Sequence, residues 1–449
     1  MPIPDHYRRG ACPSAGNPMV SGDGLLSRIR LTDGRLTPKG LRCVADLADQ
    51  NGSGLIEITG RGNLQLRGLA GEAEAEVTAT LVNTGLAVET AAAEAARNIQ
   101  CSAAADLDPQ ALIDPAPEAR ALDERLIGDE RFWALPPKFR FVFNGGGLTH
   151  LADADGDIRA DAVSTQDGIR YRIGLAGTSA TAHSLGDCTP SRVVDVLVEL
   201  VLIFLEERQR LITPARRMRQ LIDASGTAPF AGLRDLGRPV GTLAEYPTAP
   251  EPGPTPVGTV LGVALGCLGT SSARLIADGL EAHDGTLRIT PQRRLIMPHA
   301  SAPEPDLPEA PELIHGPGDP RLSAIACPGT PGCTSGTTAT RRDALDWAEQ
   351  VPELFDGSTP VHISGCPKGC AHPGKAPVVL VARDGRYDLV LDDRALPEEE
   401  GHRIARGLLP GEVSDTLRAL VSTATLDSPG DEPLTQSLER VAQASRNRR

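Results

Sequence analysis

Leu25, Ser27, Ile29 and Leu31 fall on one side of a period-two alternation, with Arg28 and Arg30 on the other. That pattern predicts a half-buried strand with one cationic face. Thr37-Pro38 then supplies an N-cap and first-turn pair, Leu41, Val44, Ala45 and Ala48 recur at helical spacing, and Asn51-Gly52 ends the run. An extended segment follows, GLIEITGRGNLQLRGL from Gly54. The order strand, helix, strand returns in TVLGVALGCL, GTSSARLIADGLEAHDG and TLRITPQRRLIMPHA, between Thr259 and Ala300. Ile58-Thr59 and Leu64 align without a gap with Ile289-Thr290 and Leu295, so the chain reads as an internal duplication.

A longer stretch of mixed elements follows each copy. The first contains RFWALPPKFRFVFNGGG, a strand ending in a glycine turn, and the apolar run VVDVLVELVLIFLEE from Val193, which predicts a buried helix after Thr189 and Pro190. Asp195 and Glu199 interrupt that run and argue against a membrane span. The second stretch holds a helix near Asp343 to Val351 and the hairpin APVVLVARDGRYDLVL, turning at Asp384-Gly385. Pro-rich connections cover residues 246–258 and 301–320. The expected organisation is a first half-domain over 1–70, an α/β domain over 71–245, a second half-domain over 255–300, a second α/β domain over 315–395, and a charged, helical, mostly solvated tail over 396–449.

The 449 residues are too many for one ordinary core, and a formal charge of −14 argues against a nucleic-acid or anionic-membrane partner. The N-terminus carries no apolar signal stretch, so a cytoplasmic, reducing setting is expected, and the nine cysteines are thiols or metal ligands before they are disulfides.

Four of those cysteines stand apart. Cys327 and Cys333 lie in ACPGTPGCTSG, and Cys366 and Cys370 in GCPKGCAHPG, giving C-x5-C followed by C-x3-C. Thiolates from two Gly/Pro-rich loops suit a [4Fe–4S] cluster, because small residues let backbone N–H groups approach sulfur. Zinc is the main competitor, although its knuckles more often use tighter spacing on both sides. Four unrelated core thiols are the remaining reading.

Cations gather at strand ends in this acidic chain. Arg28 and Arg30 share a face, Arg61 follows a strand, Arg67 closes one, Arg97 lies in AARNIQC, and Lys138 and Arg140 flank Phe139 on one side of a strand. Lys368 and Lys375 sit beside the last two cysteines. Several guanidinium forks suit a polycarboxylate.

The cysteine spacing resembles that of the nitrite and sulfite reductase superfamily. The resemblance implies an α+β protein with a duplicated nitrite/sulfite reductase fold: two ferredoxin-like half-domains plus two α/β domains about a pseudo-twofold axis. It also implies a [4Fe–4S] cluster on Cys327, Cys333, Cys366 and Cys370, the last of which would lie closest to a tetrapyrrole. Thr59-Gly60-Arg61, Arg97-Asn98 and Lys138-Phe139-Arg140 resemble the superfamily motifs that surround sirohaem and its small anion. Arg140 departs from the second lysine usual in the reductases. Arginine holds its proton too tightly for general acid work, which counts against proton-consuming reduction.

Within the superfamily, RRGACPS, NPMVSGDGLLSRIRL, TGRGNLQLRGL, LPPKFRFVFNGGG and LRITPQRRLIMP are more similar to the precorrin-3B synthase family. That resemblance implies precorrin-3A as substrate, bound by Arg28, Arg30, Arg61, Arg67, Arg97, Lys138, Arg140 and Lys368, with Arg61, Lys138 and Arg140 catalytic. The implied reaction is O2-dependent hydroxylation at C20 with γ-lactone formation in aerobic cobalamin biosynthesis. It implies a mononuclear non-haem iron besides the cluster, yet His150, His183, His362 and His372 show no two-His-one-carboxylate spacing. No G-x-G-x-x-G follows a strand, so NADH-derived electrons are expected from a separate donor. A sirohaem-dependent sulfite or nitrite reductase and a non-catalytic iron–sulfur protein stay open as alternatives.

Overall fold

The computed structural model describes residues 13–233, 236–239, 241–243, 246–283, 285–298, 309–395, 403–426 and 432–447. The opening residues 8–12 and the Pro-rich stretch 301–308 lie outside the described residues.

The first repeat forms an antiparallel sheet in the order Met19–Ser21, Gly24–Ile29, Leu64–Leu69, Leu55–Ile58, Cys267–Gly269. The second forms another in the order Gly253–Thr255, Gly258–Val263, Arg294–Met297, Leu287–Ile289, Arg35–Leu36, with Leu313–Ile314 also paired to Gly258–Val263. Each sheet is thus completed by a short strand from the other repeat: Cys267 pairs with Glu57 in the first, and Arg35 with Arg288 in the second. Reciprocal exchange of equivalent strands is the mark of an internal pseudo-twofold axis.

Helix Pro38–Asn51 forms as its sequence predicts, with the Thr37 hydroxyl accepting from Gly40 N–H at 3.1 Å and Pro38 in the first turn. It buries Leu41, Val44, Ala45 and Ala48. The equivalent helix Thr270–Glu281 buries Ala273, Ile276 and Ala277, and both helices share one core beneath the two sheets.

The two α/β domains repeat each other as well. Strands Ile99–Cys101, Phe141–Asn144, Gly156–Thr165, Gly168–Gly177 and His183–Cys188 pair parallel, parallel, antiparallel, antiparallel. Strands Ala324–Ala326, Val361–Ser364, Ala376–Arg383, Arg386–Asp393 and Arg403–Leu408 repeat that order. Helices Ala116–Gly128 and Thr340–Gln350 make the equivalent crossovers, and Pro190–Arg210 and Pro410–Leu426 follow the last strands. The hairpin turns at Asp384 (φ 48°) and Gly385 (φ 76°), the two left-handed residues that a tight Asp-Gly turn requires.

One expectation is corrected. The chain beyond Asp393 is not a solvated tail: Arg403–Leu408 is the edge strand of the second α/β sheet, and the two helices after it bury Val413, Leu417 and Leu438. Their apolar positions recur at helical spacing within charged sequence, enough to cover one sheet face. Among the described residues no helix is long and apolar enough to cross a membrane.

Candidate functional site

Cys327 follows strand Ala324–Ala326, and Cys366 and Cys370 follow the adjacent parallel strand Val361–Ser364, so the two cysteine loops leave neighbouring strand ends. Backbone bonds stitch the loops together: Cys327 N–H to Ile363 O at 3.3 Å, and Thr337 N–H to Gly365 O at 3.1 Å. The glycines permit this approach. A Cβ on Gly329, which sits at φ 62°, would lie 2.4 Å from Thr338 O, and one on Gly365 would lie 3.4 Å from Cys327 Sγ. Gly365 N–H donates to Cys327 Sγ at 3.1 Å. Lys368 Nζ reaches across to Ser335 Oγ at 2.7 Å, tying one loop to the other.

Cys327 and Cys366 are buried, Cys333 is half-buried and Cys370 is exposed. Burial pushes the Cys366 thiol up to about 11; the Lys368 N–H opposes the shift, and the thiols of Cys370, Cys327 and Cys333 reinforce it. Coupling of that kind requires the four sulfurs to share one neighbourhood. Four thiols brought together are the donor type that a metal centre takes. Among the described residues no three His, Cys, Asp or Glu side chains converge as ligands of a single ion would. A cube bonds each thiolate to a different iron and so holds its sulfurs wider apart than one zinc ion does. Among the described residues the histidines do not converge as ligands of one iron either. His362 is buried and meets His372 edge-on with ring centroids 5.7 Å apart, His150 packs on Tyr246 at 4.9 Å, and His183 lies exposed at a strand end.

The three motifs in the first half meet around Gln100. Its amide donates to Arg61 O at 3.3 Å and accepts from Arg140 Nη1 at 3.4 Å. Asn98 Nδ2 donates to Phe139 O at 2.9 Å, which brings the Arg97-Asn98 and Lys138-Phe139-Arg140 segments side by side. Phe139 is buried against Phe204, with ring centroids 4.5 Å apart; the strand begins only at Phe141, so Lys138, Phe139 and Arg140 lie in the turn that leads into it and not on a strand as expected. Asp155 O and Asp157 fix Arg140, accepting from Nη1 at 2.6 Å and from the backbone N–H at 2.8 Å.

Arg28 opens a polar row across the first sheet. It pairs in register with Gln65, Gln65 with Glu57, and Glu57 with Cys267, on the face opposite the Ile56, Ile58, Leu64 and Leu66 core. Arg28 Nη2 donates to Gln65 Oε1 at 3.0 Å. Glu57 accepts from Arg341, at the start of the helix that follows the first cysteine loop, so the row abuts the cysteine-bearing domain.

Three predicted ligand-binding cations are committed elsewhere. Arg67 is buried and held by Asp23 at 3.0 Å, by Ser21 Oγ at 2.9 Å and by the Gly332 carbonyl, so it clamps the N-terminal hairpin to a cysteine loop. Arg97 makes a bidentate pair with Asp123 at 3.0 and 2.7 Å and also meets Glu94 at 3.1 Å. Arg30 faces the same Glu94 carboxylate at 3.3 Å. These carboxylates satisfy the guanidinium donors inside the fold, which gives the three arginines a structural place. Sequence reasoning missed Glu57, Gln100 and Arg341. The alternation of Glu57 with Ile56 and Ile58, and of Gln65 with Leu64 and Leu66, was the available signal for a polar sheet face. The cavities beside Glu309–His315 (about 380 Å³) and beside Gly16 and Glu72–Asn83 (about 670 Å³) contain none of these residues.

A family model of the nitrite/sulfite reductase ferredoxin-like half domain matches residues 17–83. The fold aligns with the solved structure of Mycobacterium tuberculosis NirA at a TM-score of 0.71 and 20% identity, covering 94% of this chain and 84% of that one. The class is therefore the nitrite/sulfite reductase fold. A precorrin-3B synthase from Sinorhizobium sp is 34% identical over 404 residues, 86% of this chain and 84% of its own, and a ferredoxin–nitrite reductase from Synechococcus elongatus is 26% identical, covering 90% and 86%. The chain belongs to the precorrin-3B synthase family.

Proposed function

We propose that the chain catalyses hydroxylation of precorrin-3A at C20 with γ-lactone formation, using O2 and NADH-derived electrons delivered by a separate donor. The observation that carries this reading is the match to a synthase over most of both chains. The contact of the cysteine-bearing domain with the polar face of the first sheet supports it.

In this reading Cys327, Cys333, Cys366 and Cys370 hold a [4Fe–4S] cluster, which supplies single electrons. Arg28, Arg61, Lys138 and Arg140 hold carboxylates of the macrocycle, each a charge-assisted contact of about 1.5–3 kcal/mol. Arg61 and Arg140, joined through Gln100, fix the macrocycle's orientation and offset negative charge without giving up protons. Lys138 is the member of the trio able to donate one. Lys368, spanning the two cysteine loops, offsets the charge of four thiolates. A cytoplasmic setting keeps those thiols reduced.

The test is anaerobic purification followed by incubation with precorrin-3A, O2 and a reducing system. Mass analysis should show incorporation of oxygen into the tetrapyrrole. Unchanged substrate with a working donor, or sirohaem extractable from the purified protein, would move the chain to the reductase reading.

A further inference from the structure

The turn that carries Arg61 has a twin in the second repeat. Thr59 N–H donates to Asn63 O at 2.9 Å and Gly62 N–H to Thr59 O at 3.0 Å; in the twin, Thr290 N–H donates to Arg294 O at 3.0 Å and Arg293 N–H to Thr290 O at 3.1 Å. Gly62 and Arg293 hold the equivalent left-handed position, at φ 71° and φ 59°. Glycine is at ease there and arginine is strained, and such strain tends to mark a site where the side chain is needed.

The Arg293 side chain runs back toward the polar row. Its Cδ lies 2.8 Å from where a Cβ on Gly266 would stand, and Gly266 adjoins Cys267, the last residue of that row. Burial lowers the guanidinium pKa, Arg341 adds to the effect, and Cys267 and Glu57 oppose it, which places these groups around it. Arg293 nevertheless keeps partial exposure. Charge there is unbalanced. Glu57 is shared by Arg341 and by Arg67 at 3.5 Å, and among the described residues the buried Arg341 Nε meets no acceptor.

We propose that Arg293 and Arg341 form a carboxylate-binding pair that anchors one acidic side chain of the polycarboxylate tetrapyrrole, opposite the Arg61–Gln100–Arg140 group. The identity of that ligand rests on the function proposed above; the pair itself does not. It makes Arg293 a specificity residue supplied by the second repeat at the place where the first repeat supplies a glycine.

The experiment measures equilibrium binding of precorrin-3A and of uroporphyrin, a stable polycarboxylate tetrapyrrole, to anaerobically purified holoprotein, with steady-state kinetics beside it. Arg293→Gly should weaken binding at least tenfold, raise KM by a similar factor, leave kcat within twofold, and leave iron content and thermal stability unchanged or improved, because it relaxes the turn. Arg293→Lys should recover part of the binding. Binding by Arg293→Gly within twofold of the unaltered protein, loss of iron in that variant, or failure of the unaltered protein to bind either tetrapyrrole overturns the proposal. Binding that depends on Arg293 in a protein that leaves precorrin-3A unconverted keeps the proposal and removes the reaction assignment.

Discussion

Ser102 and Cys327 occupy the same place in two copies of one sheet. Each donates its N–H to the middle strand, at 3.1 Å to Phe143 O and 3.3 Å to Ile363 O. Each side chain accepts from the N–H of the glycine that follows that strand, Gly145 to Ser102 Oγ and Gly365 to Cys327 Sγ, both at 3.1 Å. Beyond that point the copies diverge. In the first domain Asp108 takes up the Gln110 N–H at 2.9 Å, and a Cβ on Gly147 would stand 2.2 Å from its carboxylate, so the two loops close on each other. In the second, the loops carry three further thiols. Identical strand ends therefore support a packed plug in one half and a gathering of four thiols in the other, because chemistry resides in the loops while the scaffold fixes only where they start.

The largest effect should come from erasing that difference. Cys327→Ser gives the second domain the side chain of its twin, and iron and acid-labile sulfide should fall below detection together with activity. Ser102→Cys, which adds one thiol beside Cys101 without assembling a quartet, should leave iron content unchanged. Next comes the contrast between cations committed to the fold and cations facing the site. Arg97→Ala leaves Asp123 without its buried cation and Glu94 with Arg30 alone, and should destabilise the protein by about 3–5 kcal/mol in chemical unfolding. Arg61→Ala should leave the unfolding curve in place while lowering kcat/KM about 10- to 150-fold, the equivalent of one charge-assisted contact.

The smallest effect concerns the loop before strand Val361–Ser364. Burial would raise the Asp356 pKa, but hydrogen bonds from Thr359 and Ser358 outweigh it and hold the carboxyl below its ordinary value. Its contribution is present above the unfolded carboxyl pKa and is lost as pH falls through the lower folded one. Asp356→Asn should therefore remove about 1 kcal/mol or less, given its exposure, and flatten the acid limb of a stability-versus-pH curve.

Much of the architecture was legible. The period-two strands, the Thr37-Pro38 helix start and the Asp384-Gly385 hairpin are local signals, and each appears at its expected place. The loop positions of the four cysteines followed from the Pro and Gly around them. The exchanged strands were not legible, because Arg35–Leu36 and Cys267–Gly269 are too short for any periodicity to register. The roles of Arg30 and Arg97 were hidden for another reason. Their carboxylate partners stand 64 and 26 residues away in sequence, so only the folded chain shows which guanidinium groups are already satisfied.

The swapped edge strands make the duplication indivisible. A fragment ending near residue 250 would keep Leu55–Ile58 but lose the strand that covers its outer edge, and the complementary fragment would lose Arg35–Leu36 from beside Leu287–Ile289. Both pieces would expose unpaired backbone and invite aggregation. The strand trade is thus an internal weld that neither repeat can supply alone.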